Sequence, residues 1–183
     1  MFSILFSRYK DLIVSYIYGL LRDIGSAEDV AQEVFLNIFR KADSYRYPMK
    51  FSSWLYRIAR NLALNEIKRK KRRFLLSLSL SRITARRTAY QEERTGDSCY
   101  NDSAGAKERG ERILDALHTL PIKYRNVVIL RIYHARSYEE IGEIEGCSAS
   151  AARLRMHYAL RRLKKILLSL IHISEPTRPL YIS

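Results

Sequence analysis

The chain has 183 residues, of which 47% are hydrophobic and 28% charged, a size that suits one ordinary domain or two small ones. Lysine and arginine (33) exceed aspartate and glutamate (19), and the net charge of +14 favours an anionic partner, either nucleic acid or an anionic membrane surface. We expect no stable membrane insertion and no secretory signal, because the strongly apolar runs, residues 166–173 and 1–6, are too short. The two cysteines form no disulfide framework, which favours the reducing cytoplasm.

Helical periodicity on both sides of the middle, with only seven glycines and four prolines, predicts an all-α protein. The first amphipathic helix starts almost at Met1. Its apolar residues recur at helical spacing: Leu5, Tyr9, Leu12, Ile13, Tyr16, Ile17 and Leu20.

A second helix is predicted to begin before Ala27, because Ser26 and Asp29 form a capping signature. One face carries the apolar residues Val30, Ala31, Val34, Phe35 and Ile38. The opposite face carries Asp29, Gln32, Glu33 and Leu36, which we call the acidic stripe. A leucine among acidic and amide groups in a basic protein indicates a docking surface for a partner, and the alternative is a plain solvated face.

The central helix, residues 51–73, is predicted to bury Leu55, Ile58, Ala59 and Leu62, with Ser52 or Ser53 as its cap. Its flank carries Trp54, Asn61 and Asn65, with Arg57 and Lys68 further round. A protein that binds an unpaired nucleic-acid strand needs rings on which bases stack, amides that hydrogen-bond base edges, and cations that contact phosphates. The alternative to a nucleic-acid site is that the tryptophan belongs to the core, the asparagines are ordinary surface residues, and the basic run at residues 68–73 only makes the helix end soluble.

From Phe74 the helical pattern fades, and residues 76–80 are interpreted as irregular. Residues 82–110 are rich in Ser, Thr, Gly and charge, the composition of a flexible linker. The sequence therefore predicts two helical domains, residues 1–73 and 111–170, joined by a linker at 74–110.

The second domain is predicted to contain a helix that stops at Pro121, a helix over Tyr124–Tyr133, and a short helix opened by a capping box of Ser137 and Glu140. Gly146 allows a tight left-handed turn, and Ser148 caps a last helix that ends near Leu168. Two helices joined in this way form a helix-turn-helix whose second helix enters the major groove. A helical hairpin with a basic surface is the alternative.

No other chemistry is indicated. The four histidines show no metal-ligand spacing, no glycine-rich phosphate loop with a lysine occurs, and no nucleophile–base pair can be assigned. We therefore predict no catalytic residue, no metal and no cofactor.

The order of these motifs resembles the extracytoplasmic-function sigma factors, the small two-domain initiation subunits of bacterial RNA polymerase, over roughly residues 5–168. Residues 29–35, DVAQEVF, resemble the family's segment that binds the polymerase clamp helices. Residues 51–61, FSSWLYRIARN, are similar to the helix that recognises and melts the minus-ten element, where the position of Asn61 lines a pocket for a flipped-out base. Residues 120–125, LPIKYR, and 137–142, SYEEIG, resemble the domain that binds the minus-thirty-five element.

The resemblance implies three sets of contact residues. Core polymerase would bind Asp29, Gln32, Glu33 and Leu36. The minus-ten and melting contacts would be Trp54, Tyr56, Arg57, Arg60, Asn61, Asn65 and Lys68. The minus-thirty-five contacts would be Arg153, Leu154, Arg155, His157, Tyr158 and Arg161, with Arg155 and Arg161 on phosphates.

The chain departs from the family pattern at three places. Residues 150–155 read SAARLR where the family often reads GTVKSR, so promoter preference does not carry over. The amino end begins inside the family's first helix. Residues 171–183, IHISEPTRPLYIS, have no family counterpart and resemble translated vector sequence, so we expect a foreign, dispensable and disordered tail.

The resemblance implies a sigma factor with core polymerase, promoter DNA and an anti-sigma factor as partners. The alternative is a free-standing helix-turn-helix regulator, which needs neither the acidic stripe nor the flank of Trp54 and Asn61. An RNA-processing enzyme would need a catalytic constellation that the sequence lacks.

Overall fold

The computed structural model describes residues 2–42, 45, 49–84 and 113–173, and within these ranges all regular structure is helical. The helices are α1 (Phe2–Leu21), α2 (Ile24–Arg40), α3 (Phe51–Thr84), α4 (113–118), α5 (Ile122–Val128) with a π-helical continuation (Ile129–Tyr133), α6 (Tyr138–Glu145) and α7 (Ala149–Ile173). They form two compact units, one of residues 2–42, 45 and 55–84, the other of 49–54 and 113–173. The all-α, two-domain prediction is confirmed.

The core of the first unit is built from one face each of α1, α2 and α3. Its α1 members are Ile13, Tyr16, Ile17 and Leu20, and the predicted apolar face of α2 is buried throughout. Leu12, predicted to be buried, is 43% exposed because it lies one position off the α1 stripe. The rings of Tyr16 and Tyr56 meet edge-to-face, with centroids 5.1 Å apart.

The caps of two helices differ from those that the sequence predicts. Asp23 caps α2, and its Oδ1 accepts a hydrogen bond from the Ser26 amide at 3.2 Å, so Ser26 lies inside the first turn. The helix α3 begins at Phe51, which places Ser52 and Ser53 within its first turn rather than at the cap. Serine prefers the N-cap but also occurs within a first turn, so the serine pattern alone assigned both caps wrongly.

The helix α3 continues through Thr84, although its amphipathic pattern ends at Arg73. The side chains of residues 74–79 are all exposed. The hydroxyls of Ser77 and Ser79 donate to the carbonyls of Phe74 and Leu76, each at 2.8 Å. The predicted irregular stretch is wrong because leucine favours helix even where it is exposed, so the fading pattern marks the end of the buried face of α3 and not the end of the helix.

The core of the second unit gathers residues from α4 to α7: Ala116, Leu117, Leu120, Val127, Val128, Ile129, Leu130, Ile141, Ile144, Ala152, Met156 and Ala159. The predicted helix over Tyr124–Tyr133 ends in the π-helical turn, where the His134 amide donates to the Ile129 carbonyl at 3.2 Å. Within this turn Ile132 is 56% exposed, whereas His134, which follows the turn, is only 7% exposed.

The helix α7 extends to Ile173, past the predicted end near Leu168. The rest of the predicted tail, residues 174–183, and most of the predicted linker lie outside the described residues. None of the helices that can be described is long and apolar enough to cross a bilayer.

Candidate functional site

The acidic stripe lies on the side of α2 that faces away from the core. Asp29, Gln32 and Glu33 are exposed, and Leu36 is 53% exposed. Phe39, 70% exposed, follows Leu36 by three residues and extends the apolar part of the stripe by one turn. The sequence analysis missed Phe39, although its spacing from Leu36 was the available signal. Exposed apolar side chains within a polar rim are typical of a protein-binding surface.

The outer side of α3 carries a row of polar side chains at helical spacing. Asn61, Asn65 and Lys68 are exposed, and Arg57 and Arg60 are half-buried. Arg60 Nη1 donates to Asn61 Oδ1 at 3.1 Å, which directs the Asn61 amide nitrogen to act as the donor towards a ligand. A base with an acceptor on its edge is a suitable partner for that nitrogen.

The two candidate rings on α3 have different surroundings. Trp54 is half-buried and tilted against Phe51, with ring centroids 5.9 Å apart. Tyr56 is fully buried against Tyr16, so its ring is not accessible for base stacking, contrary to the sequence-based assignment. The buried face of α3 is rotated towards Tyr56 and Ala63, leaving Ile58 and Leu62 only half-buried.

Two residues of the basic run at 68–73 form ion pairs within the first unit. Lys70 pairs with the Asp23 carboxylate, and Arg69 with Glu66 at 2.6 Å. The hydrogen bond from Lys70, followed by that from the Ser26 amide, lowers the pKa of Asp23 to about 2. Lys68 and residues 71–73 are exposed, so part of the run is available for a polyanion.

The helix-turn-helix of α6 and α7 follows the predicted design. Ser137 and Glu140 form the capping box. Gly146 ends α6 with φ 67°, and Ser148 Oγ accepts from the Ala151 amide at 3.1 Å. Gly142 has no side chain at the point where the turn approaches α6 most closely, because a Cβ there would lie 2.6 Å from the Cys147 carbonyl oxygen.

The outward face of α7 presents the predicted contact residues together. The exposed members are Arg153, Leu154, His157, Tyr158 and Arg161, spaced so that they follow one side of the helix. The guanidinium carbons of Arg131 and Arg153 lie 4.9 and 5.2 Å from the centroid of the Tyr138 ring. The sequence analysis named neither Arg131 nor Tyr138, and nothing in their spacing along the chain reveals the contact.

Arg155 differs from the other basic residues of this group. It is half-buried, and its Nη1 donates to Glu145 Oε2 at 2.9 Å. The other oxygen of Glu145, Oε1, accepts a hydrogen bond from the side-chain Nδ2 of Asn126 on α5. Glu145 also escaped the sequence analysis.

His118 and His134 of the second unit occupy structural positions, and His157 lies on the surface. Burial, followed by repulsion from Arg136, lowers the pKa of His134 to about 4, which keeps the ring neutral at pH 7. His118 Nδ1 lies 2.9 Å from Arg125 Nη1, and the same guanidinium donates to the carbonyls of Leu117, His118 and Leu120. Within the described ranges no group of three or more His, Cys, Asp or Glu side chains could hold a metal ion.

Comparison with known proteins identifies both units. Residues 5–73 match Sigma-70 region 2, and residues 110–163 match Sigma-70, region 4. The chain is 34% identical over 157 residues to the ECF RNA polymerase sigma factor SigW of Bacillus subtilis, an alignment that covers 86% of this chain and 83% of that protein. It is 31% identical over 160 residues to the ECF RNA polymerase sigma-E factor of Haemophilus influenzae, covering 86% and 82%.

Two solved structures have a similar fold. The sigma factor RpoE from Bartonella quintana, in complex with the anti-sigma factor NepR, superposes with a TM-score of 0.69 at 20% identity, covering 91% of this chain and 96% of that one. CnrH, in complex with the cytosolic domain of CnrY, superposes with a TM-score of 0.64 at 18% identity, covering 92% and 88%. At these identities the likeness concerns the fold.

Proposed function

Because the chain belongs to the extracytoplasmic-function sigma factors of RNA polymerase, we propose that it recruits core polymerase through the acidic stripe of α2, contacts promoter DNA with both units and assists strand opening. The chain itself catalyses no covalent step in this proposal, and it acts in the cytoplasm with the polymerase. An anti-sigma factor is a further proposed partner, by analogy with the RpoE–NepR complex.

The observation that carries the proposal is the exposed surface of the first unit. Leu36 and Phe39 stand exposed beside Gln32 and Glu33, and the row formed by Asn61 and Lys68 lies on α3 of the same unit. A free-standing helix-turn-helix regulator would need only the second unit. Two surfaces of different chemistry on the first unit favour a protein that holds a partner protein and a nucleic acid together.

The polymerase contact is tested by replacing Gln32 and Glu33 together with alanine. Because both side chains are exposed, the melting temperature should change little while affinity for core polymerase falls. Asp11→Ala is the matched control, since it removes one exposed acidic charge from α1 of the same unit. Equal affinity for core polymerase in the double variant and the control would contradict the assignment.

The melting contact is tested with Asn61→Ala. Unpairing and unstacking one base costs a few kcal/mol, and a protein contact returns about 1–3 kcal/mol per stacked base, so opening is sensitive to a single side chain. We expect normal closed-complex binding to duplex promoter and reduced open-complex formation by strand-opening footprinting with core polymerase. A premelted template should restore much of the loss. Opening at an unaltered rate and extent would make Asn61 an ordinary surface amide.

The minus-thirty-five contact is tested on α7. Replacing Arg153 or His157 should alter sequence preference, by about 1–3 kcal/mol for each base that the side chain no longer reads. Replacing Arg161 should instead weaken binding to all DNA sequences by the same factor and reduce the slope of log K against log salt by about 1. If all three substitutions weakened binding to every DNA sequence equally, the α7 face would bind DNA by charge alone.

A further inference from the structure

We propose that Glu145 and Arg155 are positioning residues that fix the recognition helix α7 against the rest of the second unit, and that Arg155 makes no phosphate contact. The proposal rests on the DNA-binding role proposed above for α7. It separates Arg155 from Arg161, although both are basic residues of the same helix.

The geometry places one carboxylate at the junction of three helices. Glu145 is the last residue of α6, immediately before the left-handed Gly146, and its side chain is only 2% exposed. One carboxylate oxygen accepts a hydrogen bond from Arg155 Nη1 on α7 at 2.9 Å, and the other accepts one from the side-chain Nδ2 of Asn126 on α5. Asn126 is itself 2% exposed. The carboxylate thus joins α5 and α7 to the end of α6, where the turn between the two helices begins.

Burial decides what Arg155 can bind. A guanidinium that moved to a DNA phosphate would leave the Glu145 carboxylate buried without its cation, and an uncompensated buried charge is strongly unfavourable. Arg161 is exposed and would reach a phosphate without breaking this pair. The pair fixes the orientation of α7 instead, because the buried carboxylate is held by a donor from α5 on one oxygen and a donor from α7 on the other.

The salt dependence of DNA binding separates the two arginines. The complex with core polymerase is titrated with a duplex selected from a random pool by the unaltered chain, and with a scrambled duplex of the same composition. Arg161→Met should reduce the slope of log K against log salt by about 0.9. Arg155→Met should leave the slope unchanged and reduce the preference for the selected duplex roughly 10-fold, since a displaced helix no longer reaches the base edges correctly. A slope reduced by about 0.9 in Arg155→Met would overturn the proposal.

Glu145→Gln gives a second test in which the sign of the effect is informative. The substitution preserves shape and removes a negative charge, so electrostatics alone would strengthen binding to DNA. If Glu145 positions α7, the variant should instead bind DNA more weakly and less selectively, while circular dichroism shows retained helicity. The Glu145→Gln, Arg155→Met double variant should lose no more selectivity than the worse single variant, because each substitution breaks the same pair.

Stronger binding in Glu145→Gln, or unaltered selectivity in a folded variant, would show that the pair only stabilises the unit. The affinity of the unaltered chain for the selected duplex reports on the proposed function itself. The differences between variants report on the positioning role of Glu145 and Arg155. The experiment can therefore refute this role without refuting the proposed function.

Discussion

Replacing Gly142 with alanine would place a methyl carbon 2.6 Å from the carbonyl oxygen of Cys147 and 3.3 Å from the amide nitrogen of Ala149. The first distance is 0.8 Å below the 3.4 Å at which ordinary contact begins, and both atoms belong to the backbone of the turn. Overpacking of this kind costs up to about 3 kcal/mol, and the helix propensity of alanine returns about 1 kcal/mol. We expect a net loss of about 2 kcal/mol, with α6 and the turn moved apart.

Two other glycines provide controls for this experiment. A Cβ at Gly25 in α2 would have its nearest neighbour at 3.7 Å, so Gly25→Ala should be neutral or stabilising by up to about 1 kcal/mol. A Cβ at Gly146 meets nothing within 4 Å, and Gly146→Ala should cost about 1 kcal/mol through its positive φ alone. Hydrogen exchange of amides in α2 for the Gly25 variant, and in α6 and α7 for the Gly142 and Gly146 variants, measures the local free energy of opening. A Gly142→Ala variant as stable as Gly25→Ala would refute the close-contact argument.

Further predictions concern acidity and charge. His134 has a folded pKa of about 4, below its ordinary 6.5, so the unfolded chain binds the proton first, and unfolding free energy should fall by about 2 kcal/mol from pH 7 to pH 5. The fall should shrink in His134→Gln, as measured by urea denaturation at both pH values. Asp23→Ala should cost about 1–2 kcal/mol through removal of the cap and the Lys70 pair, and it should flatten the acid dependence between pH 3.8 and about 2, because in that range the unfolded carboxyl has taken up its proton and the folded one has not. Arg125→Lys should lower the melting temperature at a cost of about 1–2 kcal/mol, because a single ammonium cannot reach three carbonyls; an unchanged melting temperature would mean that these hydrogen bonds add nothing net.

The sequence predicted the parts of the fold that depend on local chemistry. The capping box at Ser137 and Glu140, the left-handed Gly146 and the apolar face of α2 each follow from a pattern within a few residues, and all were correct. The exposure of the acidic stripe followed from the same periodicity.

The parts that the sequence did not predict depend on tertiary packing. Leu55 and Tyr56 on α3 are both buried, and the ring of Tyr56 packs against Tyr16 on α1, a contact between two helices that the periodicity of α3 alone does not contain. The role of Glu145 depends on Asn126 and Arg155, 19 and 10 residues away along the chain. The ion pair of Asp23 was missed because its partner Lys70 lies 47 residues further on.

The π-helical turn at Ile129–Tyr133 has a consequence for acid sensitivity. In an uninterrupted α-helix the residue four positions after the buried Val128 would be Ile132, and an apolar side chain would fill the core. The wider turn shifts the register by one residue, so that Ile132 faces solvent and His134 is buried, five positions after Ile129. The acid sensitivity of the second unit is thus a product of backbone register as much as of residue identity. Deleting one residue within the turn should restore α-helical spacing and place His134 four positions after Ile129, so the buried histidine should persist in a regular helix.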